Sequence, residues 1–218
     1  MTELLLKTLA SYLLGSVVGS LVVGKLRGGV DIRTLGSGNA GGTNALRTQG
    51  KAFAFWVMLI DIGKGWLAAG VVATLGVTAL PPASDAVREW LPALCGLAAI
   101  IGHVYPVWHG FRGGKGVATL IGAVLGVHAW LLVPMLLTWL VLVVSVGFVS
   151  LASMGAAASM PVYVAAAETK PQLPLLIFGA AAAALIIFTH RSNIARMLAQ
   201  QEPRARRLWL FGSLRGSD

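Results

Sequence analysis

The sequence predicts an all-α polytopic membrane protein with about seven transmembrane helices, its N-terminus outside and its C-terminus inside. Three observations predict it: an apolar excess, a series of long runs almost free of charge, and a one-sided distribution of Lys and Arg. Of 218 residues 56% are hydrophobic and 11% charged, with a mean hydropathy of +0.78, more apolar surface than a soluble core of this size buries. The excess faces lipid. Unpaired backbone amides are costly there, so the runs are helices or barrel strands, and none shows the strict alternation of a barrel.

The runs are Leu4 to Val23, Ala52 to Leu80, Leu91 to Val107, Val117 to Val133, Met135 to Val149, Leu151 to Ala167 and Leu173 to Thr189. A bilayer core takes about 20 apolar helical residues, so several of these spans are short or tilted. The first has only Glu3 before it and Lys7 inside it, which is no basic n-region, and it reads as a retained span rather than a cleaved signal. The second carries Asp61 and Lys64, three apart, which are expected to pair with each other or face the bundle interior. The single Cys95 lies in an apolar run, so neither a disulfide framework nor a thiolate–metal cluster is open to the chain.

If spans alternate, one side receives the segment Gly24 to Lys51, the segment His103 to Gly116, the turn Ser145 to Ser153 and the C-terminal tail. The other receives the N-terminus and the loops Pro81 to Glu89, Val127 to Pro134 and Glu168 to Pro171. Thirteen of the 17 Lys and Arg, Arg215 among them, fall on the first side, against Lys7, Arg88 and Lys170 on the second. The positive-inside rule makes the first side cytoplasmic, and the net charge of +9 is mostly orientation. The tail Arg204-Ala205-Arg206-Arg207 reads as the same bias plus attraction to anionic lipid; nothing in the chain points to nucleic acid.

Loops between membrane helices are usually short, yet Gly24 to Lys51 is long and polar, as binding loops are. Gly36-Ser37-Gly38-Asn39-Ala40-Gly41 matches G-x-G-x-x-G, but no strand precedes it and no βαβ unit surrounds it, so a dinucleotide fold is not implied. The physics remains: glycines let backbone approach an anion, Ser37, Asn39, Thr43 and Asn44 supply neutral donors, and Arg47 can clamp a phosphate bidentately.

The second block runs from Gly102-His103 through Gly113-Gly114-Lys115-Gly116 to Thr119, a glycine turn leading into a helix, where phosphate is attracted. It is not a Walker A loop, because His109 stands where its first glycine belongs and Gly116 follows Lys115. Either glycine stretch alone also fits a flexible linker or close helix packing; two on one side, each with basic residues, point to phosphate. A third cluster, His190, Asn193 and Arg196, recurs at helical spacing just beyond the last span. His103 is an intermediate case, while His109 and His128 read as structural. Ser150 and Ser153, near a cytoplasmic turn, can line a site or satisfy helix ends. No His/Asp/Glu cluster has metal-ligand spacing, so neither metal nor other cofactor is expected.

These blocks resemble the bacterial integral-membrane acyl-phosphate:glycerol-3-phosphate acyltransferases, the PlsY family. The carriers are Gly36-Ser37-Gly38-Asn39 with Thr43-Asn44 and Arg47, the Gly102-His103 to Thr119 block, and His190-x-x-Asn193-x-x-Arg196 with Glu202 beyond, spread over nearly the whole chain. The resemblance implies one integral-membrane acyltransferase domain, residues 1–218, in the bacterial inner membrane with its active site facing the cytoplasm. It implies fatty acyl phosphate and glycerol 3-phosphate as substrates and membrane lipid as surroundings. It places Ser37, Arg47, Lys115 and His190 in the catalytic centre, and Gly36, Gly38, Asn39, Thr43, Asn44, His103, Gly113, Gly114, Gly116, Ser150 and Asn193 around the substrates. Glu202 matches an acidic position of structural importance. Two departures stand out: Gly15-Ser16-Val17-Val18-Gly19-Ser20 where the family commonly has a proline-containing turn, and Gly42 where alanine is usual. The His-x-x-x-x-Asp pair of soluble-type acyltransferases is absent. The rival reading is an organic-phosphate transporter, whose site belongs near the membrane midplane among broken helices rather than at one edge.

Overall fold

The computed structural model describes residues 1–76, 84–167 and 172–212, and every element among them is helical. The expected loop Glu168 to Pro171, with Lys170, and the tail residue Arg215 lie outside the described residues, as does the start of the loop expected at Pro81 to Glu89. Four helices are long and apolar enough to cross a membrane, Lys51–Val72, Asp85–His109, Val117–Val146 and Val149–Ala167, and six spans result if each of two bent pairs counts as one. The chain divides into two compact units, Met1–Ala129 and Trp130–Asp218.

The first unit holds α1 (Thr2–Gly15), α2 (Gly19–Leu26), α3 (Gly42–Gln49), α4 (Lys51–Trp66) with a π-helical extension Leu67–Val72, α5 (Asp85–Val104) and α6 (Val117–His128). Small residues let its helices touch backbone to backbone, the usual solution where lipid supplies no hydrophobic drive. A Cβ on Gly15 would overlap the backbone of Ala99, and one on Gly65 or Gly122 would overlap the backbone between α4 and α6. α5 begins at Asp85, after extended Ser84, with the acidic Asp85 in its first turn, so the expected loop is already helical over Asp85 to Glu89.

The expected single run Leu4 to Val23 is broken. α1 and α2 meet at 46° around Ser16–Val18. A break in a membrane helix needs partners for the backbone groups it frees, and here an ion pair supplies them: Gly19 N–H donates to Asp61 Oδ1 at 3.0 Å and Lys64 Nζ donates to Val17 O at 2.7 Å. Asp61 and Lys64 do pair, at 2.9 Å and with almost no exposure.

The second unit holds α7 (Leu132–Val146), α8 (Val149–Ala167), α9 (Leu173–Thr189) and α10 (Arg191–Leu198). The loop expected over Val127 to Pro134 is instead a 3-10 turn at Ala129–Leu131, because Pro134 falls in the first turn of α7, where its missing N–H leaves no intrahelical bond unmade. Gly147, at φ +84°, makes the tight turn into α8. α10 bends 55° away from α9 at His190. The tail folds onto the α7–α8 turn: Ala205 N–H donates to Gly147 O, Leu210 N–H to Val144 O, and the Arg204 guanidinium stacks between Phe148 and Trp209.

Candidate active site

In the first unit the polar loop is organised by Asn44. Its carboxamide is buried, with Nδ2 within 3.0 Å of the carbonyls of Ile32, Leu35 and Asn39 and Oδ1 accepting from Ser37 N–H at 3.0 Å. Asn44 therefore holds the loop rather than offering donors to a ligand. The chain can turn tightly around it because Gly36 and Gly38 adopt φ +57° and +72°, and a Cβ on Gly36 would strike the Asn44 side chain. With Asn44 turned inward, Ser37, Thr43 and Arg47 are exposed; Thr43 and Arg47 lie one turn apart on α3. Asn39 is half-buried beside them.

Arg33 ties this loop to the second block. Asp31 holds its guanidinium, Oδ2 to Nη2 at 2.7 Å, and Arg33 Nη1 donates to His109 O at 3.3 Å and Arg112 O at 3.1 Å. The hydrogen bond from Arg33 holds the Asp31 carboxyl below the usual aspartate range against its partial burial. Beyond Arg112, Gly113 N–H donates to Val104 O and Gly114 N–H to His103 O, both at 3.1 Å, closing the turn that presents half-exposed Lys115. Gly116, at φ +88°, then starts α6.

His103, expected beside substrate, is buried instead at 2% exposure. Its Nδ1 lies 2.8 Å from Lys64 Nζ and 3.3 Å from Asp61 Oδ1. Lys64 thus spends its three protons on Val17 O, Asp61 Oδ1 and His103 Nδ1. His109 and Arg112 accept from Arg33 through their carbonyls.

In the second unit Glu202 gathers the predicted residues. Its Oε1 accepts from Ser150 Oγ at 2.9 Å and Asn193 Nδ2 at 2.6 Å, and its Oε2 from Arg196 Nε at 2.7 Å. Burial opposes the charged form, but the bonds from Asn193, Ser150 and Arg196 prevail and hold the carboxyl below the usual glutamate range. His190, almost fully buried, places Nδ1 at 2.7 Å from Ile186 O. A carbonyl only accepts, so Nδ1 carries a proton directed at Ile186 O. Among the described residues no group of His, Cys, Asp and Glu is placed to hold a metal ion.

The family model described as glycerol-3-phosphate acyltransferase matches residues 5–200. The chain belongs to that family. A glycerol-3-phosphate acyltransferase of Thioalkalivibrio sulfidiphilus is 41% identical over 90% of this chain and 91% of its own. One from Synechococcus is also 41% identical, over 96% and 98%. Among solved structures, the glycerol 3-phosphate form of PlsY, an integral membrane glycerol 3-phosphate acyltransferase, superposes with a TM-score of 0.80 at 36% identity, covering 92% of this chain and 94% of that one. The lysophosphatidic acid form gives 0.78 at 35%. This acyltransferase is accordingly an integral membrane protein. The structure adds Asp31 and Arg33 to the residues that shape its loops; Asp-x-Arg is too common a spacing to have singled them out.

Proposed function

We propose that the chain transfers a fatty acyl group from acyl phosphate to the 1-hydroxyl of glycerol 3-phosphate, giving lysophosphatidic acid and phosphate, the first acylation of phospholipid synthesis. The observation that carries this reading is the Asn44-centred loop, which turns Ser37, Thr43 and Arg47 outward together in a member of this acyltransferase family. Acyl phosphate is an activated mixed anhydride, so no acyl-enzyme is needed. The acceptor oxygen attacks the acyl carbon, an ester bond forms, the acyl–phosphate bond breaks, and the hydroxyl proton leaves on phosphate. Arg47 and Lys115 hold phosphate charge, since the Ser37, Gly38, Gly113 and Gly114 amides are already bonded within the turns, and the Ser37 hydroxyl donates to the developing oxyanion. His190 Nε2 is the competing proton acceptor.

The orientation that fits the charge distribution has seven spans, N-terminus outside, C-terminus and active-site loops in the cytoplasm, in the inner membrane. Seven spans divide the Val117–Val146 stretch at its 3-10 turn. The test is phosphate release from palmitoyl phosphate by the purified protein with and without glycerol 3-phosphate, beside palmitoyl-CoA and an Arg47→Ala variant. Acceptor-dependent release, lost in Arg47→Ala, supports the transferase. No release from any donor would return the broken first span to the transporter reading.

A further inference from the structure

We infer that Asp61, Lys64 and His103 are positioning residues that act through the His103 ring and carbonyl to set the Gly113–Lys115 turn, and with it the affinity for the acceptor's phosphate. The inference rests on the reading of that turn as an acceptor site. Three segments meet at this cluster. Asp61 Oδ1 and Lys64 Nζ bind the backbone of the α1–α2 break at Gly19 and Val17, Asp61 Oδ1 accepts from Lys64 Nζ, and Lys64 Nζ reaches His103 Nδ1. An ammonium only donates, so Nδ1 accepts from Lys64 and the neutral ring carries its proton on Nε2. That nitrogen faces Gly114 closely enough that a Cβ there would overlap it, and a Cβ on Gly113 would overlap the His103 carbonyl. The same carbonyl accepts Gly114 N–H at 3.1 Å.

The α1–α2 break is gripped from the second block as well. Tyr12 Oη donates to Tyr105 O at 2.9 Å, Trp108 Nε1 to Leu13 O at 3.3 Å and Val107 N–H to Ser16 Oγ at 3.4 Å. The segment between His103 and Gly113 is therefore pinned at its start by the ion-pair cluster, in its middle by α1, and at its end by Arg33. Buried ionisable groups hold helices together no better than apolar packing does, and they are costly in a membrane. What the polar cluster adds is direction: a rotated His103 ring would either open space beneath Gly114 or push it outward.

The test is a double-variant cycle on the full-length protein in lipid, with separate KM values for glycerol 3-phosphate and acyl phosphate. Gly114→Ala should raise the KM for glycerol 3-phosphate about 10-fold or more, and His103→Ala, by making room, should recover most of that in the double variant. Additive effects, or equal changes in the two KM values, would overturn the inference. Asp61→Asn, which keeps the shape and removes the charge, serves if Gly114→Ala does not fold; the expected result is a raised KM for glycerol 3-phosphate with the acyl phosphate KM unchanged. A lowered melting temperature with both KM values intact would make the cluster merely structural. Lys115→Ala separates the failures: a raised acceptor KM there beside an unchanged one in Asp61→Asn sinks the positioning role alone. An unchanged acceptor KM in Lys115→Ala sinks the acceptor-site reading and the inference with it.

Discussion

The Arg33 guanidinium donates to the carbonyl of Arg112 at 3.1 Å across 79 residues of chain, so two polar loops far apart in sequence are tied to each other. Asp31 pre-orients the guanidinium through Nε and Nη2. Arg33→Ala should leave the helices folded, since a part-exposed ion pair contributes no more than about 1 kcal/mol, while uncoupling the loops. The expected result is a fall in kcat/KM of about 10-fold with little change in melting temperature, and faster proteolytic nicking between Val107 and Lys115. Unchanged kinetics would show that the tether is incidental.

Asn44 offers a sharper experiment. Asn44→Asp keeps the oxygen that accepts Ser37 N–H but turns the donors to Ile32, Leu35 and Asn39 into a repelling acceptor. Buried polar groups left unpaired cost about 1–3 kcal/mol each, so the loop should come apart locally and activity should drop by about 100-fold or more. Asn44→Ala should fall between wild type and Asn44→Asp. Amide hydrogen exchange at Ser37 reads the same event directly: its protection is expected to vanish in Asn44→Ala and to survive in Arg47→Ala.

Much of this was legible in the sequence, and the limits have physical causes. Apolar runs and glycine-flanked basic blocks are local signals, so the helices, the exposed Ser37, Thr43 and Arg47 and the half-exposed Lys115 follow from short windows. The break at Ser16–Val18 does not, because its backbone is satisfied by Asp61 and Lys64, 42 and 47 residues away. His103 looks like a site histidine from its glycine neighbours, and only the Lys64 contact shows it turned inward. The same holds for Asn44, Ser150 and Asn193, whose polar atoms suit a ligand and are engaged by loop carbonyls or by Glu202. A residue's type says what it can bond. Its partner is decided by the fold.

Glu202 makes a prediction with a sign. Its folded carboxyl is held below the ordinary value of about 4.3, so the stability it contributes is present above that value and is lost as pH falls through the lower, folded one. Melting temperature in detergent should therefore drop more steeply below about pH 4.3 in wild type than in Glu202→Gln. At neutral pH the variant should be the less stable, because a glutamine amide cannot accept from Ser150, Asn193 and Arg196 together. Parallel curves for the two proteins would contradict this.

Orientation can be read by labelling. Cys95 is the only cysteine and is buried, so a Cys95→Ala background is silent. A cysteine placed at Thr2 should react with a membrane-impermeant maleimide in intact spheroplasts, and one placed at Arg206 only after permeabilisation. The reverse pattern would invert the proposed topology.

The His190 Nδ1–H is directed at Ile186 O, and a His190 ring acting as base would take the acceptor's hydroxyl proton on its other nitrogen. The phosphate of the substrate offers the same service with a second ionisation near about 6. A ring serving as base would imprint its own titration on kcat/KM, whereas a ring that only orients substrate would lower the rate at all pH values alike. Because acyl phosphate has a good leaving group and needs little help in losing it, substrate phosphate is the expected base. His190→Ala should therefore lower kcat/KM by about 10² to 10³ while keeping the acid limb of the wild-type profile in place. If that limb disappears with the imidazole, His190 is the base.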